Sequence, residues 1–541
     1  MRGARFRVPA EDGGLLAEPP PSALDEHLRN NRSRLDSWNH DFQGRRADRL
    51  RTQCRQEILR NAQRFLSTNG LDPPPQPSVP PSAPQHPPLF VTGHQPELFH
   101  PGVWVKNFAT ATLARKHQGI GLNLIVDNDL AKSTLVRVPS QVGDRLRLVP
   151  IELDRWAGEL PHEELAVQDE SLFESFGRRV RETLGHLVAD PLIETYWPLV
   201  VAQGPGPTPR GLRLALARRQ LEGNWGVRNL EIPLSQICQS ESFLWFAAHL
   251  LAQLPTFQDI HNQALAEYRQ TYRIRSRNHP VSALSKTGDW LEAPFWIWRQ
   301  GDPRRRALLV CTGRRTMRLR MAGEDDPFAE LPLAADREAC CAVEQLHSLE
   351  SRGIRLRTRA LTTTMFCRLL LGDLFIHGIG GAKYDELGDT ITERFFRFPP
   401  PDFVTLSMTL RLGIPDFPTS ESDLASIDRS LRDLKFHPER ALTEPLNEEV
   451  RKDVIAKREL LSAEAPTRRQ RLARLRALRT INERLGEAVK NHRESLEALR
   501  RQVVGKLQWN QLAHLRDYPF VLHSRARLQG AMSAVSRRFD S

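Results

Sequence analysis

Side chains able to do chemistry gather at three places in this sequence, each where a short apolar run gives way to polar residues. The first is Leu89-Phe90-Val91, followed by Thr92-Gly93-His94-Gln95 and, past a Pro/Gly turn that begins at His100, a helical pattern. Strand, loop and helix in that order put the loop at the carboxyl edge of a sheet, where α/β folds bind ligands. Gly93 permits close backbone approach, amides at the mouth of the next helix favour an anion, and an imidazole exchanges protons near neutral pH. His94 is therefore the candidate general base, with Thr92, Gly93, Gln95 and His100 as candidate contacts.

The second place is Leu122-Asn123-Leu124-Ile125-Val126, ending in Asp127-Asn128-Asp129, with Lys132 three residues on. Two carboxylates and an amide there can hold Mg²⁺, orient a ribose or bind an ammonium group, although Asp and Asn also make ordinary turns. Asp127 and Asp129 are candidate catalytic groups; Asn128 and Lys132 are candidate contacts. The third is His377-Gly378-Ile379-Gly380-Gly381-Ala382-Lys383-Tyr384-Asp385. A glycine-rich loop between strand and helix makes a backbone cradle for phosphate or carboxylate. It lacks the last glycine of G-x-G-x-x-G and any Walker lysine, so as a nucleotide fingerprint it is weak. His377, Gly378, Gly380, Gly381, Lys383 and Tyr384 are its candidate contacts, and Arg359 or Arg357 on the preceding strand is a candidate carboxylate clamp. A lesser group comprises Glu292 among Trp290, Phe295, Trp296 and Trp298, with His261, Asn262 and His279; such aromatics wall a pocket or fill a core.

The elements that must position these groups read as an α/β fold with a Rossmann-like parallel sheet, helical insertions and a C-terminal antiparallel coiled-coil arm. Residues 1–71 form a helix-prone segment in which Leu24, Leu28, Leu35, Trp38 and Phe42 fall near one face. Nine prolines between Asp72 and Pro88 make an extended connector, since proline continues neither helix nor central strand. The core spans 89–430, with a mainly helical insertion at about 203–290. Strands are expected at Leu89–Thr92, Leu122–Val126, Trp197–Ala202, Leu230–Pro233, Phe295–Trp298, Ala307–Cys311, Ile354–Arg359 and Leu374–His377. Over 431–510, apolar residues from Leu475 to Val503 recur at three- and four-residue steps, an a/d-type stripe beyond a break at Pro466. That arm is expected to mediate a homodimer, and residues 511–541 to pack back on the core.

The net charge of +12 comes from arginines spread along the chain, and the densest cluster, Arg468 to Arg479, interleaves with leucines as a solvated helix face does. Charge alone speaks to association, so the expected partners are acidic small molecules rather than nucleic acid. Six cysteines without a C-x-x-C pair, no apolar leader at Met1–Arg7 and no long apolar run point to a cytoplasmic protein without a membrane span.

Thr92-Gly93-His94-Gln95-Pro96-Glu97-Leu98-Phe99, the strand ending Asp127-Asn128-Asp129, and the late Gly378-to-Tyr384 loop occur in the order of one family. The chain resembles the bacillithiol-biosynthesis cysteine-adding enzymes, which are cysteine ligases. The resemblance implies a Rossmann-like core, a dimerising coiled coil, and an activity that joins cysteine to the amino group of a glucosaminyl-malate. It matches Thr92, Gly93, Gln95, Leu98 and Phe99 to the first block, Asp127 and Asp129 to the acidic strand end, and Gly380, Gly381 and Tyr384 to the late loop. The chain departs from the pattern at His94, Glu97, Asn128 and Lys132, and its Lys106 comes early for the lysine usual in the following helix. Such changes imply different ligands on a shared fold. Amide formation needs an activated carboxylate, so ATP with Mg²⁺ is the candidate cofactor, though no motif fixes it. Two rival readings are a metal-dependent nucleotidyl-transferase-like enzyme using Asp127 and Asp129, and a coiled-coil scaffold or RNA-binding protein.

Overall fold

The computed structural model describes residues 6–75, 86–274 and 281–540, which places His279 and residues 76–85 of the proline-rich connector outside the described residues. The chain is a mixed α/β protein divided into two compact units. One comprises the chain through Val138, Pro150–Leu412 and the stretch from Arg516 onward; the other comprises Pro139–Val149 and Gly413–Leu515.

The larger unit is built on a six-stranded sheet of β1 (Leu15–Glu18), β2 (Leu89–His94), β3 (Ile120–Ile125), β6 (Leu230–Pro233), β13 (Leu374–His377) and β14 (Phe403–Met408). Their order is β1-β14-β13-β2-β3-β6, and every pairing is parallel except that of β1 with β14. From β2 the chain moves one way, through α3 (Pro101–Lys116) to β3; from β13 it moves the other way, through α12 (Ile379–Phe395) to β14. The order therefore reverses between β2 and β13, and that reversal opens a crevice at the carboxyl edge.

Alternation along β2 and β3 assigns the two faces. Leu89, Val91, Leu122 and Leu124 join one core with α2 (Ala47–Thr68), α8 (Glu241–Ala252) and the inner side of α12. Phe90 and Gly121 face α3, where the Phe90 ring lies 5.5 Å from that of His117. At the carboxyl end of the chain α17 (Arg525–Asp540) packs on α3. Before the sheet begins, α1 (Leu24–Ser37) is tied to it by Asn31, whose amide donates to the carbonyls of Asp373 and Asp402.

A second, antiparallel sheet carries β8 (Trp290–Arg299), β9 (Asp302–Thr312), β10 (Met317–Met321), β11 (Ala329–Leu331) and β12 (Ile354–Thr358) in the order β11-β10-β9-β8-β12, with β7 (Lys286–Thr287) on β8. Around it run α9 (Leu254–Thr271), α10 (Cys340–Ser351) and α11 (Ala360–Phe366). The hairpin of β4 (Leu135–Val142) and β5 (Arg145–Glu152) leads to α4 (Glu170–Leu184), α5 (Ile193–Val201) and α6 (Arg210–Asn224).

The strand expected at Trp197–Ala202 is instead part of α5. Ile193, Tyr196, Trp197 and Val200 are buried at helical spacing, and the Trp197 indole donates to the Phe173 carbonyl at 3.1 Å. A short continuous apolar run does not reveal its own period, and here a helical neighbour decided it. The segment 203–290 also contains β6, a full member of the parallel sheet, as well as α6, α8, α9 and the short α7 (Leu234–Ile237).

In the smaller unit α13 (Glu421–Phe436) packs on α16 (Lys490–Ala513), and α14 (Glu448–Ser462) packs on α15 (Arg468–Ala488). The turn between α14 and α15 falls at 463–467, where Pro466 lies, and α15 gives way to α16 at Val489. Ile481, Leu485, Val489 and Val503 are buried, whereas Leu475 and Leu499 of the apolar stripe, and Leu472 before it, are exposed.

Candidate functional site

At the crevice lies a cavity of about 640 Å³ lined by residues from all three polar segments, among them His94, Asp129 and Gly380. Gln95, His100, Asn128, Lys132, Arg359, His377, Gly378, Gly381 and Tyr384 share it, as does Gly93. Three candidates from the polar segments are not on its wall. Thr92 is buried and donates its hydroxyl to the Ile376 carbonyl, stitching β2 to β13. Asp127 accepts from the Ser235 amide at 2.9 Å and its hydroxyl at 2.5 Å, so it fastens the end of β3 to the end of β6. Lys383 is exposed on α12, and its carbonyl accepts from the Tyr268 hydroxyl.

Gly93 is required by packing, because a Cβ there would meet the Leu124 Cβ at 2.9 Å. Beyond it, the Gln95 amide donates to Asp129 at 2.8 Å, and Asp129 also accepts from the Leu130 amide and, at 3.0 Å, from the Arg305 guanidinium. Burial raises the pKa of this carboxyl, but the hydrogen bond from Gln95 and the charge of Arg305 outweigh it and hold Asp129 below the usual range. The Asn128 side chain donates to the Thr358 carbonyl at 2.9 Å and so clips β12 to the strand end. Asp127 and Asp129 thus face different partners, and among the described residues no group of three or more His, Cys, Asp or Glu side chains is arranged to hold a metal ion.

Four imidazoles line the cavity, three of them from the polar segments. His94 sets Nδ1 against the Gln95 carbonyl at 3.2 Å, and burial with the nearby Lys106 charge lowers its pKa to about 3. His100 accepts from the Gly102 amide through Nδ1 as the cap of α3, and burial and Arg516 lower it to about 4. His377 directs Nε2 to Asp385 at 2.8 Å; burial outweighs that carboxylate and lowers its pKa as well. All three are neutral at pH 7. Asp385 is itself fixed by Thr364 at 2.5 Å and Arg368 at 2.8 Å, and these contacts hold its carboxyl well down against the effect of burial. Fixing Nε2–H toward Asp385 leaves Nδ1 of His377 as an acceptor beside Gly381, where a Cβ would come within 2.7 Å of it.

The cations are the feature the sequence reading underweighted. Lys106, on α3, is 3 % exposed and donates to the Gly93 carbonyl at 2.6 Å. Burial lowers its pKa to about 7, and among the described residues no carboxylate lies within ion-pair distance of it. Arg516 donates to Ser407 and to the Met408 carbonyl, with Asp517 3.9 Å away as its nearest carboxylate. Arg305 and Arg359 lie 4.9 and 4.0 Å from the Trp296 ring centroid. Arg359 is taken by Glu292 at 2.7 Å, which leaves it only partly free as a clamp. Arg357 is buried between Glu163 and Glu350, and the cavity wall does not include it. Of the lesser candidates, Trp296 and His261 reach the wall. Position along the sequence gave no sign of Arg305 or Arg516, because each arrives from a distant element.

With five cationic side chains (Lys106, Lys132, Arg305, Arg359, Arg516) and one carboxylate, Asp129, on its wall, and the amino terminus of the 17-residue α12 opening on it, the cavity favours a negatively charged ligand. Compared with known protein families and with curated proteins, the chain matches none.

Proposed function

We propose that the cavity binds a small, multiply charged anion and that the chain is a carbon–nitrogen ligase of the type its motifs resemble, adding cysteine or another amino acid to an amino-sugar acceptor. The single supporting observation is convergence: segments from residues 93–106, 128–132 and 377–384 wall one cationic crevice at the edge of a parallel sheet. In this reading the sheet is Rossmann-like, since the parallel strands from β6 to β14 follow the chain order 3-2-1-4-5. The ligand's acidic group takes the free amides of the α12 amino terminus, with Arg516 and Lys106 supplying positive field. Amide formation consumes a neutral amine, and the neutral imidazoles of His94 and His377 are placed to accept its proton. His377 is the better base of the two, because Asp385 stabilises the imidazolium that forms.

Mg²⁺ does not fit Asp127 and Asp129, whose oxygens are already taken by Ser235, Gln95, Leu130 and Arg305. No step is assigned to it. ATP remains the proposed co-substrate for activating the acid. We read the helices of the smaller unit as a coiled-coil arm joining two copies, supported by the exposed Leu472 and Leu475. We place the protein in the cytoplasm.

The test is mass-spectrometric detection of amide product from the full chain with cysteine, glucosaminyl-malate and ATP. Product that requires all three, and that disappears in His377→Gln, supports the reading. Absence of product over a range of amino acids and amino-sugar acids, with malate still bound, refutes ligation while sparing anion binding.

A further inference from the structure

Two lysines are buried among the described residues, and they are buried differently. Lys457, in the smaller unit, donates to the Phe436 carbonyl, to Glu439 at 2.6 Å and to Asn482 at 2.5 Å, so its charge is answered by a carboxylate and its three hydrogens are all placed. Lys106 gives one hydrogen to the Gly93 carbonyl and has no carboxylate beside it. It also lines the cavity, where Lys457 lines none of the cavities described. The groups facing it from neighbouring elements are His94, His100 and His377, all neutral at pH 7, and the more distant Arg516 guanidinium. Beyond the Gly93 carbonyl, no neighbouring group favours the ammonium form, and burial disfavours that form.

We infer that Lys106 is a carbonyl-reactive amine, able to capture a small anionic aldehyde or ketone as an imine within the cationic cavity. With one N–H held by Gly93, the neutral amine keeps its lone pair for the cavity, and the ligand's acid group is held by the same cations and α12 amides that make the site anion-receptive. The nitrogen lone pair attacks the carbonyl carbon and a carbinolamine forms. Loss of the carbonyl oxygen as water, with both amine hydrogens, leaves the C=N bond. The neutral imidazole of His377 or His94 can carry the proton between nitrogen and departing oxygen. The half-titration of Lys106 near pH 7 keeps a large share of the amine unprotonated, whereas an exposed lysine is almost wholly ammonium there. The inference stands on the lysine's surroundings and does not require the chain to be a ligase.

The experiment uses the full chain with glyoxylate, the smallest anionic aldehyde, and cyanoborohydride, followed by peptide mapping. Reduction converts the imine to a stable carboxymethyl-lysine. At pH 7 the label at Lys106 should exceed that at the exposed Lys452 and at Lys457 by about tenfold or more, reflecting the larger neutral fraction. Labelling at Lys106 should level off above about pH 7 while labelling at Lys452 continues to rise toward pH 10. Chain unfolded in urea should label all three alike. Lys106→Arg, which retains the positive charge, should lose the label. Native labelling at Lys106 no greater than at Lys452, or a pH profile that tracks Lys452, overturns the inference. Loss of malate binding with the label intact would instead strike at the anion-site reading alone.

Discussion

Asp385→Asn is the sharpest test of the site's architecture, because the substitution is isosteric and every partner is known. The carboxylate, 1 % exposed, accepts from Thr364, Arg368 and His377. An asparagine keeps one acceptor oxygen and turns an NH₂ toward a group that was a donor. Arg368 retains Asp389 at 2.6 Å, so half of its pairing survives. Breaking a buried pair by removing one partner costs about 3–5 kcal/mol, and the surviving Asp389 contact argues for the lower end, about 3 kcal/mol. The folded pKa of Asp385 lies below its unfolded value, so its stabilisation is complete above the unfolded value, about pH 4, and is lost as pH falls through the folded one. Urea unfolding should therefore show a constant deficit for the variant from pH 5 to pH 8 that shrinks below about pH 4. If the NH₂ turns to His377, Nε2 becomes the acceptor and Nδ1 carries the hydrogen toward Gly381, so turnover should fall by two orders of magnitude or so. A variant as stable as the parent at pH 7 would refute the proposed network.

Three further outcomes follow from named contacts. Gly381→Ala places a Cβ against His377 and should weaken malate binding by about tenfold in calorimetry, whereas Gly380→Ala, whose Cβ meets nothing within 4 Å, should leave thermal stability within about 0.5 kcal/mol. Lys106→Met should stabilise the fold at pH 6 by about 2 kcal/mol after loss of the Gly93 bond. Because the folded pKa near 7 lies below the unfolded one, the parent's penalty is full below pH 7 and fades toward pH 10, so the gain should fade with it; a gain that grows with pH would contradict the linkage. Leu472→Glu with Leu475→Glu should give a monomer by light scattering if those exposed leucines join two copies, and an unchanged mass would remove the arm from that role.

The three strand-to-loop transitions were legible because each pairs a short apolar run with a Gly, Pro, Asp or Asn stop, and β6 and β13 emerge with the expected bounds. Their meeting in one cavity followed from the rule that carboxyl ends of parallel strands share an edge. What stayed hidden depended on long-range pairing. The run Phe403 to Met408 follows three prolines at 399–401 and was not among the expected strands, yet it forms β14. Asp127 and Asp129 are two residues apart and alike in sequence, but Ser235 claims one while Gln95 and Arg305 claim the other. Arg305 comes from β9, and no local pattern predicts where an antiparallel strand will leave its basic side chain. Lys106 was visible as a residue but not as an isolated charge, since isolation is a property of everything packed around it.

The pairing of β1 with β14 sets Leu15 opposite Met408 and Glu18 opposite Thr405, so the earlier strand finds its neighbour only after several hundred further residues have been made. At about 5–20 residues per second the wait is on the order of tens of seconds. Throughout it the nascent β1 segment has backbone donors and acceptors with no native mate, and closure of the sheet's border waits until β14 has left the ribosome.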